Sequence, residues 1–179
     1  MIIRNAGPAD NAAIRDVVSA AFGQPYEADL IERLRADDHE AASIVAEADG
    51  RIVGHVCLSW LKAEFNGSPI EALALAPLAV HPGHQRRGIG KQLARAAIER
   101  GKHLHAKIVL VLGDPQFYRP FGFDSKKGAM LLNPFEIEAF MALELAPNVL
   151  ENGCGSVDYP AAFGLEDLKK SPQSGQHPS

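Results

Sequence analysis

The 179-residue sequence has few cysteines and no long apolar segment. Its two cysteines, Cys57 and Cys154, occur without a secretory signal, which argues against a disulfide-linked scaffold and for a reducing compartment. The longest apolar run, residues 72–80, is interrupted by Pro77 and is far shorter than the ~20 residues that span a bilayer. The N-terminal residues lack the apolar core of a signal peptide. We therefore expect a soluble, cytoplasmic protein that does not bind membranes.

The chain also lacks a net positive charge, since its formal charge is −4 at pH 7. This balance argues against a nucleic-acid-binding protein. Basic residues are nevertheless concentrated in one segment: residues 81–105 contain six Lys or Arg against the single acid Glu99. That segment carries +5, so the rest of the chain carries −9. Such a local excess suits one polyanionic small ligand better than a long duplex.

The same basic segment contains the most informative motif of the chain. An apolar run ends at Val80, and after His-Pro-Gly-His the sequence of residues 85–91 reads Gln-Arg-Arg-Gly-Ile-Gly-Lys. An amphipathic helix pattern begins at once. A strand that leads through a glycine-bearing loop into a helix N-terminus binds anions, because unpaired N–H groups and the helix dipole converge there. Gly88 and Gly90 would let phosphate oxygens approach the backbone.

Two other phosphate-binding motifs do not fit this loop. A Walker A loop would require glycine at position 85 and Ser or Thr at position 92, where the chain has Gln85 and Gln92. A dinucleotide fingerprint would require a third glycine at position 93, which is Leu93. The loop is therefore neither of these two sites.

Hydrophobic periodicity predicts alternating helices and strands, and therefore an α/β protein. A chain of 179 residues that is 46% hydrophobic can form one core, which predicts one main domain. Asp49-Gly50 is a strong hairpin signal, and Gly101 is a fitting stop for the helix after the glycine loop. The predicted order is β-α-α-β-β-β-α-β-α-β-β. The predicted strands are 2–3, 43–48, 51–61, 73–80, 108–112, one that begins at Phe123, and 141–145. The first predicted helix begins after Asp10, which is its expected N-cap, and the other predicted helices span 26–34, 90–100 and 115–121.

Two motifs resemble those of a known family. Gln85, Gly88 and Gly90 match residue for residue the pattern Gln/Arg-x-x-Gly-x-Gly/Ala of the GCN5-related N-acetyltransferases (GNAT). Residues 112–123 read Leu-Gly-Asp-Pro-Gln-Phe-Tyr-Arg-Pro-Phe-Gly-Phe and resemble the family's second signature. The compact Gly-Asp-Pro form is similar to the YhbS-like subgroup of predicted acetyltransferases. The resemblance covers residues 1–146, which leaves an extension, 147–170, expected to pack on the domain, and a tail, 171–179, expected to be disordered.

The resemblance implies the acyl-CoA N-acyltransferase fold. In that fold the fourth and fifth strands of a mixed sheet, here 73–80 and 108–112, splay apart, and helices cover both faces. The implied reaction transfers an acetyl group from acetyl-CoA to a primary amine, by direct attack in a ternary complex. The acceptor is not identified. The alternative is a non-catalytic acyl-CoA-binding or regulatory module of the same fold. A homodimer is compatible with the resemblance.

The resemblance also assigns residues to roles. Backbone groups of Leu78, Ala79 and Val80 would pair with the pantetheine arm of CoA, and the N–H of Ala79 or Val80 would polarise the thioester. Tyr118 would be the general acid for the leaving thiolate, although it also fits a core aromatic between two phenylalanines. The pyrophosphate would be held by Gln85, Arg86, Arg87, Gly88, Ile89, Gly90 and Lys91.

The general base is not identified by the sequence. One family position for a glutamate falls near Ala74, and strand 108–112 contains no carboxylate. A water chain is the favoured route for the proton, with Glu71 as a weaker candidate, and an acceptor amine of low pKa is the remaining alternative. Asp114 stands near the place where most family members have an asparagine, so an asparagine-mediated contact with the cofactor is not expected.

Other polar residues fit either a function or a solvated surface. The acids of the second helix and its exit would favour a cationic acceptor if they border the acceptor cleft; these are Glu27, Asp29, Glu32, Asp37 and Asp38. His103 and His105 lack a nearby third ligand, so no metal site is expected. Cys57 lies within an apolar strand and is interpreted as a buried small side chain rather than a nucleophile.

Overall fold

A computed structural model describes residues 1–135 and 138–165 of the chain. The predicted tail, 171–179, lies outside the described residues, as do residues 166–170 of the predicted extension. Within the described ranges, no helix combines the length and the apolar character needed to cross a bilayer.

Eight strands and five α-helices form within the described residues. The strands are β1 (Ile2–Asn5), β2 (Glu40–Ala48), β3 (Arg51–Phe65), β4 (Ser68–Val80), β5 (Ile108–Leu112), β6 (Leu131–Leu132), β7 (Phe140–Glu144) and β8 (Gly155–Asp158). The helices are α1 (Asn11–Phe22), α2 (Tyr26–Ala36), α3 (Ile89–His103), α4 (Pro115–Tyr118) and α5 (Ser125–Gly128). The predicted order is confirmed from β1 through α4, and β2, β3 and β4 are longer than the sequence pattern indicated.

The strands form one mixed sheet in the order β1-β2-β3-β4-β5-β7. Neighbours are antiparallel except β4 and β5, which are parallel. The long strand β3 pairs with β2 up to Ser59 and with β8 from Lys62 onward, so β8 continues the sheet beside β3 where β2 ends. The predicted boundary at residue 146 stays a prediction, but the described part of the predicted extension supplies this strand.

The parallel strands β4 and β5 separate halfway along their length. Their pairing joins Ala72, Leu73 and Ala74 to residues 108–110 and ends there. Beyond that point β4 pairs with β3 through Val80, whereas β5 pairs with β7. The register between β3 and β4 shifts between the pairs Val56–Leu78 and Leu58–Leu75, so β4 carries an extra residue, as in a β-bulge. A bulge bends its strand, which agrees with the splayed strands that the family resemblance implied.

Helices cover both faces of the sheet. On one face α3 packs Leu93 and Ala97 against strand residues that include Leu58 and Leu73. On the other face α1 and α2 pack on alternate strand residues, among them Val45. Burial of both faces explains why the central strands read as continuous apolar runs rather than as an alternation of apolar and polar residues. This arrangement confirms the mixed α/β fold.

The prediction that Gly101 ends α3 is wrong. The helix continues to His103, and Gly101 is buried on its inner face, where an added Cβ would lie 3.0 Å from Leu145 Cδ1. His105 takes the left-handed conformation at the helix end, with φ of 59°. The His105 N–H donates to the Lys102 carbonyl and the Ala106 N–H to the Gly101 carbonyl, at 3.0 and 3.1 Å. This pair of bonds is a Schellman motif with histidine where glycine is usual.

The predicted strand from Phe123 onward is also wrong. Asp124 forms only a single bridge with Ala142 of β7. Its side-chain Oδ1 accepts from the Lys126 N–H at 2.8 Å, which turns the chain into α5 instead. The segment that was predicted as one strand therefore contains the short helix α5 and the two-residue strand β6.

Asp10, the predicted N-cap of α1, does not use its side chain to cap the helix. Asp10 occupies the N-cap position, but its side chain makes no capping bond to α1. The carboxylate instead accepts from the Gly7 N–H at 2.8 Å and pairs with Arg4 at 2.7 Å. The Arg4 hydrogen bond, followed by that of Gly7, lowers the pKa of Asp10 to about 2. Asp10 thus ties β1 to the turn before α1.

His55 is a fully buried histidine in the centre of β3. Its Nε2 lies 2.7 Å from the Ser43 hydroxyl oxygen, while its Nδ1 has no hydrogen-bond partner among the described residues. Burial, with a smaller contribution from Arg35, lowers the pKa of His55 to about 3. The folded protein therefore holds this imidazole neutral at pH values where an unfolded histidine, with a pKa near ~6.5, is charged.

Acidification is expected to destabilise the protein through His55. Between about pH 6.5 and pH 3 the unfolded chain binds a proton that the folded chain does not, so the free energy of unfolding falls as the pH falls. The expected slope is about 1.4 kcal/mol per pH unit for one proton. His55→Gln should flatten this slope, measured by urea unfolding at pH 7, 6 and 5. Equal slopes in the two proteins would contradict the assignment.

Candidate active site

The loop between β4 and α3 forms an anion-binding geometry. Gly88 has a φ of 79°, a left-handed conformation that glycine adopts without a Cβ penalty. The first hydrogen bond at the start of α3 is donated by the Gln92 N–H to the Gly88 carbonyl, at 3.1 Å. The N–H groups of residues 89–91 therefore have no intrahelical acceptor. Together with the dipole of this long helix, they attract an anion at the loop.

One polar side chain of the loop bonds to the protein itself, and three are exposed cations. Gln85 Nε2 donates to the Val80 carbonyl at 3.0 Å, so this residue ties the loop to the end of β4. Arg86, Arg87 and Lys91 are exposed, and none of them pairs with an acid in the described part of the chain. Three of the six basic residues of segment 81–105 therefore lie at the loop and the first turn of α3, and the other three lie further along α3.

A cavity of about 390 Å³ opens at this loop, and we name it the anion cavity. It is lined by most of the residues that the sequence assigned to the cofactor, together with Phe117. Ala79 and Arg87 do not line it, and Ala79 is buried on the face covered by α1 and α2. The lining residues are Leu78, Val80, Gln85, Arg86, Gly88, Ile89, Gly90, Lys91 and Phe117.

Tyr118 lies at the end of α4, next to the anion cavity. Its ring makes edge contacts with Phe117 and Phe123, with ring centres 4.8 and 5.5 Å apart. An added Cβ on Gly113 would lie 2.6 Å from Tyr118 Cε2, so only glycine at position 113 allows the ring this position. Tyr118 therefore packs as a core aromatic, as the second interpretation of the sequence proposed, and also faces a second cavity.

Burial controls the protonation of Tyr118. The side chain is 9% exposed, and this desolvation raises the pKa of its hydroxyl to about 12. The hydroxyl is therefore protonated throughout the neutral range. Such a group can donate a hydrogen bond to a developing negative charge.

The second cavity, of about 460 Å³, occupies the opening between β4 and β5, and we name it the aromatic cavity. It shares Leu78 with the anion cavity, so the two spaces meet at the bend of β4. The residues that line it are mainly apolar and come from α1, α2, β4, β5, the α4 region, Phe135 and the C-terminal segment. They include Phe22, Tyr26, Leu30, Ala74, Leu78, Leu110, Val111, Tyr118, Phe135, Tyr159, Phe163 and Leu165.

Two carboxylates line the aromatic cavity, and both lie outside β4 and β5. Glu27 comes from the first turn of α2 and Asp114 from the start of α4. Asp114 Oδ1 already accepts from the Gln116 N–H at 2.8 Å, which caps α4. Ala74 lines the cavity, whereas Glu71 is exposed and pairs in register with Lys62, away from both cavities. This position does not support Glu71 as the general base.

The sequence did not identify the C-terminal wall of the aromatic cavity. Tyr159 and Phe163 belong to the segment that was interpreted only as an extension, yet both line the cavity. The Tyr26 hydroxyl donates to the Phe163 carbonyl at 2.9 Å, which fixes the segment to α2. The aromatic residues at positions 159 and 163 could have indicated this wall from the sequence. Their contact with α2, however, joins residues more than one hundred positions apart in the chain.

A larger cavity, of about 820 Å³, lies between α1 and the turn of β2 and β3. It shares no lining residue with the anion or aromatic cavity. Its acids are Asp10, Asp16 and Glu47, and Asp10 and Glu47 share Arg4 as an ion-pair partner, at 2.7 and 2.8 Å. The largest of these three cavities is therefore separate from both the glycine loop and the opening between β4 and β5.

The described residues contain no group of three or more potential metal ligands. His103, one of the two histidines considered from the sequence, has its Nδ1 2.7 Å from the Glu99 carbonyl oxygen within α3.

Proteins of known sequence resemble the chain over most of its length. The uncharacterized N-acetyltransferase YjhQ of Escherichia coli K12 is 38% identical over 124 residues, which cover 66% of this chain and 67% of YjhQ. The uncharacterized N-acetyltransferase YhbS of the same strain is 29% identical over 166 residues, which cover 91% of this chain and 98% of YhbS. The second match extends past residue 146.

Solved structures show the same fold. The crystal structure of E. coli YhbS in complex with CoA matches with a TM-score of 0.82 and 29% identity, over 91% of each chain. A GNAT family acetyltransferase from Brucella melitensis in complex with acetyl-CoA matches with a TM-score of 0.74 and 32% identity, over 90% of this chain and 97% of that one. Residues 11–123 also match the model of the acetyltransferase (GNAT) family. The chain therefore belongs to the GNAT acetyltransferase family and is YhbS-like within it.

Proposed function

We propose that the protein is an N-acetyltransferase that transfers the acetyl group of acetyl-CoA to a primary amine. The observation that carries this proposal is the junction of the two cavities at Leu78, because a polyanionic donor at the loop would place its reactive end in the aromatic cavity. The complexes of YhbS with CoA and of the Brucella protein with acetyl-CoA support CoA as the ligand of the loop.

The loop fits the pyrophosphate of CoA in three respects. The N–H groups of residues 89–91 would donate to phosphate oxygens. Arg86 and Lys91 line the cavity and would supply positive charge, and Arg87 would add to the field from outside it. Gln85 would act indirectly, since its amide holds the end of β4 against the loop.

The end of β4 would bind the pantetheine arm as a neighbouring strand does. From Leu75 to Val80, β4 is paired with β3 alone, because its pairing with β5 ends at Ala74. The His81 N–H donates to the Val53 carbonyl of β3, so the backbone of Ala79 also faces β3, whereas Leu78 and Val80 face the open edge. Backbone groups of Leu78 and Val80 would hydrogen-bond the amides of the arm, and the N–H of Val80 rather than that of Ala79 would polarise the thioester. One donor of this kind contributes roughly 3–4 kcal/mol in related acyl transfers.

Direct attack requires a neutral amine, a bond from nitrogen to the acyl carbon, and departure of the sulfur. Tyr118 would donate a hydrogen bond to the departing sulfur from the cavity wall. Because burial raises the pKa of Tyr118 to about 12, above the ~8.5 of an alkyl thiol, the hydroxyl keeps its proton and stabilises the thiolate mainly as a donor. Complete protonation of sulfur can follow from solvent.

The proton of the acceptor amine would leave through water. An alkylammonium has a pKa near ~10.4, so a proton must be removed before attack. Neither β4 nor β5 supplies a carboxylate to the aromatic cavity, whose acids are Glu27 and Asp114. A chain of water molecules from the open side of the cavity would supply this route. The missing strand carboxylate is also the observation that favours a second candidate, a CoA-binding regulatory module without turnover.

Gly90→Glu is expected to abolish binding of CoA and leave the fold intact. An added Cβ at this position would meet Phe117 and Leu78 at the ordinary contact distances of 3.5 and 3.6 Å, so the backbone tolerates a side chain. The new carboxylate would repel the phosphates and fill the cavity. Calorimetric titration with acetyl-CoA should show affinity reduced by about 100-fold or more.

Gln92→Glu is the matched control for this variant. It adds the same charge to the same helix at an exposed position that does not line the anion cavity. It should retain affinity within a fewfold of the wild type. Equal affinities for Gly90→Glu and the wild type would place the CoA phosphates elsewhere.

Tyr118→Phe is expected to reduce kcat by about 100-fold to 1,000-fold while leaving the dissociation constant of CoA unchanged. The change removes one oxygen and preserves the ring contacts with Phe117 and Phe123. Release of free thiol and calorimetric titration provide the two measurements. Tyr159→Phe is the comparison, since Tyr159 is a half-buried tyrosine that lines the same cavity.

The pattern of losses in the two tyrosine variants decides the role. A loss confined to Tyr159→Phe would transfer the donor role to that residue. Full turnover in both variants would remove tyrosine from the reaction. An absence of turnover in the wild type, with intact CoA binding, would favour the regulatory module.

A further inference from the structure

The aromatic cavity is larger and more apolar than an acetyl group requires. Its volume of about 460 Å³ falls within the ~300–1,000 Å³ typical of sites that bury a drug-sized molecule. If the donor enters from the loop past Leu78, its acetyl group fills only the end of this space. The remainder of the cavity has room for a second organic molecule.

One wall of that space is a cluster of aromatic rings from Phe135 and from the C-terminal segment, residues 159–165. The ring centres of Phe135 and Tyr159 lie 5.2 Å apart, and those of Tyr159 and Phe163 lie 5.0 Å apart, both in edge contact. We call Phe135, Tyr159 and Phe163 the aromatic wall. All three line the cavity, so the wall offers apolar ring surface to a ligand.

The aromatic wall is held in place by α2. Arg33 Nη2 and Nε donate to the Ala162 carbonyl at 3.1 and 3.2 Å, and the Tyr26 hydroxyl donates to the Phe163 carbonyl at 2.9 Å. The Arg33 guanidinium also lies 5.6 Å from the centre of the Tyr26 ring. These bonds use backbone acceptors of the segment and position its rings. The wall is therefore a preformed surface.

The charge on the cavity lining is negative. Its described lining includes Glu27 and Asp114 and no lysine, arginine or histidine. Asp114 is occupied in capping α4, whereas Glu27 has only the Gln24 amide nearby, at 3.3 Å. The other acids of α2 considered from the sequence, Asp29 and Glu32, both pair with Arg15. Glu27 is thus the carboxylate of α2 that faces the cavity without a described cationic partner.

We propose that the acceptor is a primary amine on an apolar aliphatic or aromatic body, with Glu27 binding its ammonium group and the aromatic wall packing against its body. The inference rests on the proposed acetyl transfer and specifies its second substrate. A long neutral acyl chain would fill the same space but would leave the Glu27 carboxylate uncompensated. A polar polyamine would satisfy Glu27 but would leave the rings without an apolar partner. An apolar amine complements both features.

A series of amines measures this preference directly. Ethanolamine, n-butylamine, n-hexylamine, phenethylamine and spermidine are compared as acceptors with acetyl-CoA by thiol release. Along the alkyl series kcat/KM should rise about fourfold for each methylene that enters the cavity. Phenethylamine should exceed ethanolamine by about 100-fold, and spermidine should be a poor acceptor. Acetylation that favours ethanolamine or spermidine would refute the apolar acceptor while leaving acetyl transfer intact.

Glu27→Gln tests the ammonium contact. The KM for n-hexylamine should rise about tenfold or more, since a hydrogen bond to a charged group is lost, and the KM for acetyl-CoA should not change. Glu32→Gln is the matched control, because it removes the same charge from the same helix at a residue that pairs with Arg15 outside the cavity. Equal effects of the two variants would refute a specific role for Glu27.

Calorimetry separates the acceptor class from the reaction. The wild type is saturated with CoA and titrated with n-hexylamine and with ethanolamine. Tighter binding of n-hexylamine, weakened in Glu27→Gln, supports the inference even if no amine is acetylated, in which case the proposed transfer fails alone. Failure of n-hexylamine to bind refutes the inference. Preferred binding of hexanoyl-CoA over acetyl-CoA would assign the space to the acyl chain and would also refute it.

Discussion

The site depends on the end of pairing between β4 and β5. Two parallel strands that remained paired to their ends would fill the space in which both cavities open. The separation begins just after Ala74 and coincides with the extra residue of β4 opposite β3, so the bend of one strand creates the opening. A strand without a partner leaves backbone groups unpaired, and such groups are costly when they are shielded from water. A ligand that pairs with β4 would satisfy them.

The two ends of this opening have opposite chemical character because different parts of the chain build them. At one end the start of α3 supplies unpaired N–H groups and exposed cations, which only a short, sharply turned loop can direct to one point. At the other end α2 and the C-terminal segment supply rings and a carboxylate. Leu78 lies between the two ends. A donor and an acceptor can therefore enter separate environments and meet at the same strand.

The local parts of this arrangement could be predicted from the sequence, and the long-range parts could not. The glycine loop was predictable because its pattern, Gln85 to Lys91, has its effect within a few residues, and Gly88 takes the left-handed conformation that the motif requires. The hairpin at Asp49-Gly50 was predictable for the same reason, since both residues have positive φ. The predicted end of α3 at Gly101 was wrong because a glycine buried on a helix face and a glycine that ends a helix cannot be distinguished in the sequence. The aromatic wall was missed because its contacts are long-range: the Phe135 ring packs on the Tyr159 ring, which packs on the Phe163 ring, and the Phe163 carbonyl is hydrogen-bonded to Tyr26 of α2.

The distribution of charge explains how a chain of net charge −4 can favour a polyanion at one place. The loop cations are exposed and unpaired within the described residues, whereas many acids elsewhere are engaged with arginines, as Asp29 and Glu32 are with Arg15. Pairing neutralises much of the negative field near these acids, and screening at physiological salt limits the rest to about 8 Å. An approaching anion therefore responds to Arg86, Arg87 and Lys91 rather than to the total charge. By the same reasoning Glu27, left without a described cation, sets the local field at the opposite end of the opening.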